Sequence, residues 1–60
     1  MNYALIIMDY LLQLLEHHDM DGADAICMAK VKLDRFRPQM SETEYIQIFD
    51  ILNRLDYLGI

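Results

Sequence analysis

Residues 2–18 read Asn2-Tyr3-Ala4-Leu5-Ile6-Ile7-Met8-Asp9-Tyr10-Leu11-Leu12-Gln13-Leu14-Leu15-Glu16-His17-His18, without a glycine or a proline. At about 100° per residue the polar side chains Asn2, Asp9, Gln13 and Glu16 fall in one arc roughly 60° wide. Everything else from Tyr3 to Leu15 is apolar. The pattern predicts an α-helix with a narrow wet edge and an apolar belt around the remainder, and such a helix is ordinarily buried. It is shorter than the ~20 residues that a membrane span requires.

Two breaks follow this stretch, Asp19-Met20-Asp21-Gly22 and Pro38-Gln39-Met40-Ser41. A second helix is predicted over about 22–37. Asp21 is placed to cap it, and Asp24 stands three residues on, as in a weak capping box. Pro38 stops it, because a proline disfavours helical geometry in the residue before it. Ala25, Ile26, Ala29, Leu33 and Phe36 form its apolar stripe, and Cys27, Met28 and Val31 form a smaller patch on the far side. A third helix is predicted over about 42–58. Ser41 and Glu44 match the S-x-x-E capping box, and Gly59 suits a C-terminal stop. Its stripe is Tyr45, Ile48, Phe49, Leu52 and Leu55, opposite Thr43, Gln47, Asp50 and Arg54. The expected architecture is all-α, one helical domain over residues 1–60, a small three-helix bundle or helical-hairpin-type fold.

Sixty residues lie near the lower limit for folding alone. Area scaling gives on the order of 90 kcal/mol from apolar burial. Ordering the chain costs about the same at ~1.5 kcal/mol per residue. Staples are absent: a single cysteine, Cys27, excludes an intrachain disulfide, and one Cys beside two His does not make a zinc cage. A very apolar core or a partner must supply the balance, and hydrophobic residues are 55% of the chain. The absence of a basic-then-apolar leader and of paired cysteines makes a reduced, cytoplasmic setting the expected localisation.

The net charge is −5. Residues 1–28 hold Asp9, Glu16, Asp19, Asp21 and Asp24 and no cation, whereas Lys30, Lys32, Arg35 and Arg37 cluster near the end of the second helix. That end of a helix favours cations through its dipole, and Lys30 is spaced to pair with Asp34. The cations do not form one stripe, and the third helix has no base-reading surface, so no nucleic-acid partner is expected.

His17-His18-Asp19-Met20-Asp21-Gly22 resembles the H-x-D-x-D-G metal-binding motif of the DHH phosphoesterases over six residues. That motif follows a buried strand in a far longer domain, and here it follows a leucine-rich helical run. The spacing of an EF-hand loop is not met either. The stretch reads as a helix end, with histidines at the negative pole and Asp19 and Asp21 at the positive pole of the next helix. Cys27 has no His, Lys or Arg placed to activate it and is expected to be a small packing residue. Asp9 shares its arc with polar side chains and is expected to be exposed. No catalytic, metal or cofactor site is predicted, so the chain is expected not to be an enzyme.

What remains is surplus apolar surface. The first helix presents Leu5, Met8 and Leu12 on one flank of its polar arc and Ile6 and Tyr10 on the other, with Tyr3, Ala4, Ile7, Leu11, Leu14 and Leu15 between them. Two stripes cannot cover all of it. The sequence therefore predicts a small acidic protein-interaction module, a regulator, adaptor or inhibitor, in size and character like accessory proteins of phages and mobile elements. Helix-mediated binding is expected through Tyr3, Leu5, Ile6, Ile7, Met8, Tyr10, Leu11, Leu12, Leu14 and Leu15, with Cys27, Met28 and Val31 as a secondary interface. The expected partner is a second copy, forming a homodimer that completes the core, or a different protein. Two alternatives stand beside this: a membrane-surface element, disfavoured because the polar face carries acids rather than Lys or Arg, and an acidic decoy for a basic nucleic-acid-binding groove.

Overall fold

The computed structural model describes residues 2–59. Three α-helices run in chain order: α1 (Tyr3–Glu16), α2 (Gly22–Phe36) and α3 (Glu42–Tyr57). A short 3-10 turn, Arg37–Gln39, joins α2 to α3, and no strand occurs among the described residues.

Each boundary has a local cause. Asn2, expected inside the first helix, is its N-cap: its side chain accepts from the Leu5 N–H at 3.2 Å. Ser41 caps α3 in the same way, accepting from the Glu44 N–H at 3.1 Å. Asp21 occupies the N-cap of α2, but its side chain makes no capping bond. The weak capping box read from Asp21 and Asp24 therefore lacks its hydrogen bond. Gly59 takes the left-handed conformation that ends α3, with φ +78°.

The α1–α2 turn leads into α2 at Gly22, where the sequence reading starts the second helix. The left-handed residue is Asp19, at φ 49°. An aspartate tolerates this region better than most side chains. The reversal lets the Met20 N–H bond back to the Leu14 carbonyl at 3.1 Å, and the Met20 side chain packs against the core. At the other break the helical path does not stop before Pro38 but tightens into the 3-10 turn through it.

The core is Ile7, Leu11 and Leu14 of α1, Ala25, Ile26, Ala29 and Leu33 of α2, and Ile48 and Leu52 of α3. The central element is α2: α1 and α3 both lie against it and touch each other little. The small side chains of Ala25 and Ala29 allow this approach from both sides. Tyr3 closes one end, its ring 5.4 Å from that of Phe36 and its hydroxyl donating to Gln39 Oε1 at 3.3 Å.

Candidate functional site

The apolar belt of α1 divides into three parts. Ile7, Leu11 and Leu14, expected at an interface, are buried within the chain, in the core where α1 packs against α2. Tyr3, Ile6 and Tyr10 are half-buried on the side that meets α2. Leu5 and Leu12 stand in water, 66% and 53% exposed, beside the half-buried Met8 and Leu15.

These last four follow one another at spacings of three, four and three residues. That is the a-d-a-d rhythm of a helix that lays a seam against another helix. Next to the seam, Asp9 and Glu16 take the positions that border it, and both are exposed. Gln13 donates to Asp9 Oδ2 at 3.0 Å, and no cation lies on this edge of α1. The face is thus an apolar row with an acidic border.

A second surface lies on the outer side of α2. Met28 and Val31 are 42% and 51% exposed, and Cys27 is exposed with them rather than packed away. Between α1 and α2 a cleft of about 390 Å³ is lined by Tyr10, Met28, Val31, Lys32 and Arg35.

Among the described residues, the cations of this region form no ion pair with the chain's own acids. The ion pair found among the described residues is Arg54 with Asp50, Nε to Oδ2 3.0 Å. Lys30 does not pair with Asp34: its ammonium donates to Asn53 Oδ1 at 2.7 Å and lies 5.1 Å from the Phe49 ring centre. Lys32 sits 4.5 Å above the Tyr10 ring, and Arg37 lies 4.3 Å above Tyr45. Each is held by the quadrupole of an aromatic face. Arg35 has neither a hydrogen-bond nor an ion-pair partner among the described residues.

Asp34 is engaged by Tyr45, whose hydroxyl donates to Asp34 Oδ1 at 2.6 Å. That bond raises the Tyr45 phenol above its ordinary value, with desolvation and the carboxylate's charge adding to it and Arg37 opposing. The arrangement ties α3 to α2 beside the cation cluster.

Sequence reasoning missed the exposed side chains of α3, Ile46, Ile51 and Tyr57, and that of its C-cap, Leu58. A signal for one of them was present: Ile46 is three residues from Thr43 and four from Asp50, both on the polar face. Tyr57, Leu58, Asn53 and Arg54 line a shallow hollow of about 330 Å³.

The Asp-rich turn gathers no ligand set. His17, His18, Asp19 and Asp21 are all exposed, and no group of three His, Cys, Asp or Glu side chains suited to a metal occurs among the described residues. No described helix is long and apolar enough to cross a membrane. In comparisons with known proteins, no family model, no curated protein and no solved structure matches the chain.

Proposed function

We propose that this chain is a small protein-interaction module, acting as a regulator, adaptor or inhibitor, that binds through the Leu5-Met8-Leu12-Leu15 row of α1. One observation carries the reading: Leu5 and Leu12 are 66% and 53% exposed although the core closes without them. Their a-d-a-d spacing with Met8 and Leu15 is the pattern that docks a helix onto a helix.

The occupant that fits this row is a helix of another protein with Lys or Arg beside its apolar seam. A second copy, the partner expected from the sequence, would bring carboxylates to carboxylates if laid antiparallel on the same row, because Asp9 and Glu16 border it and no cation does. Cationic flanks reverse the sign of that interaction and add discrimination.

The test is a methyl-detected NMR titration with a synthetic amphipathic helix carrying leucines at a and d and lysines at e and g. Saturable shifts centred on the Leu5, Met8, Leu12 and Leu15 methyls are expected, and Leu12→Gln should remove them. Methyl shifts of the same row on simple dilution would hand the row to a second copy while keeping it as the docking face. Shifts scattered over every acidic segment, with the row unmoved in both experiments, would overturn the reading.

A further inference from the structure

The outer side of α2 carries a second row. Asp24, Met28, Val31 and Arg35 stand at i, i+4, i+7 and i+11, within one arc about 60° wide. All four are exposed. In chain order the row reads acid, apolar, apolar, base.

Such a row is its own complement. When it is laid antiparallel on a copy about a two-fold axis through its midpoint, Met28 meets Val31 of the second copy and Asp24 meets Arg35 of the second copy. Each contact occurs twice, as an isologous interface requires. The two charges are about 16 Å apart along the helix, so a charged pair closes each end of the apolar centre. Arg35 has no hydrogen-bond or ion-pair partner among the described residues, and the cleft walled by Tyr10 has room for the facing apolar side chains. Cys27 beside the row is small enough to let the backbones approach. Arg35's neighbour in the chain, Asp34, is turned toward α3, where the Tyr45 hydroxyl holds it.

We propose that two copies of the chain associate through this face, α2 against α2 in opposite directions. This contact is independent of what occupies the α1 row, where the acidic border has nothing on a second copy to meet. Its centre is small, well below the ~800 Å² per partner of tight complexes, so the association is weak and transient.

Exchange of the charges tests it by sedimentation equilibrium, with far-UV circular dichroism verifying that each variant stays helical. Arg35→Glu sets an acid against Asp24, and Asp24→Arg sets a base against Arg35. Each single change should weaken association about tenfold or more. The double change Asp24→Arg with Arg35→Glu should restore it. An equimolar mixture of the two single variants should form a mixed dimer, because each altered row then finds its complement. Leu12→Gln should associate like the unaltered chain. The proposal is overturned by a chain that stays monomeric into the millimolar range, by single variants that associate normally, or by a mixture that does not pair. It is equally overturned if Leu12→Gln alone abolishes association, which would place the second copy on α1.

Discussion

Leu11 and Leu12 are consecutive in the chain and have opposite environments: Leu11 is 3% exposed in the core, and Leu12 is 53% exposed. The 100° turn between neighbours separates a residue that holds the fold from one left for binding. Leu11→Ala should cost ~2–5 kcal/mol of stability, as large-to-small core changes do. Leu12→Ala should cost under about 1 kcal/mol. Urea unfolding of the two variants measures the difference, and equal losses would show that Leu12 is covered in the folded chain.

The left-handed turn at Asp19 gives a second expectation. A glycine reaches φ 49° without the steric cost of a Cβ, so Asp19→Gly should leave stability unchanged or raise it by up to about 1 kcal/mol. Asp19→Val should lower it by on the order of 1–2 kcal/mol, because a β-branched residue is strained there. Thermal unfolding of the pair reads the ordering.

Much of this was legible in the sequence, and the exceptions have physical causes. The three helices, the Ser41 cap and the six buried core positions of α2 and α3 follow from apolar periodicity and capping chemistry. The far-side patch of Cys27, Met28 and Val31 was also visible as a pattern. Periodicity could not say how the wide belt of α1 divides, because Leu11 and Leu12 are the same residue type and the packing against α2 decides between them. Nor could it show that Arg35 has no partner among the described residues while Lys30, Lys32 and Arg37 lie over aromatic rings, since those contacts join separate elements.

The caps differ in a measurable way. Ser41→Ala removes an observed bond to the Glu44 N–H and should cost about 1 kcal/mol. Asp21→Ala should cost less, because the Asp21 side chain makes no such bond. Chemical denaturation of both variants would contradict the account if the order were reversed.

Alkaline pH probes the tie between α2 and α3. The hydrogen bond to Asp34 raises the Tyr45 phenol in the folded chain, so folding favours its neutral form. Its contribution to stability is fully present below the unfolded value, about 10, and is lost as pH rises through the folded value. Asp34→Asn should bring the Tyr45 ionisation down toward the ordinary value, as followed by the ring resonances of Tyr45. No movement of that titration would show that the carboxylate is not the cause.

The docking role of the α1 row is tested most directly by isothermal titration of the lysine-bordered amphipathic helix into the unaltered chain and into Leu12→Gln. The account predicts saturable one-to-one binding to the unaltered chain. It predicts at least tenfold weaker binding to Leu12→Gln, about 1.4 kcal/mol or more, with the thermal midpoint of the variant nearly unchanged. Equal affinity for both proteins would mean that the peptide responds to net charge alone and that Leu5 and Leu12 are not a docking face.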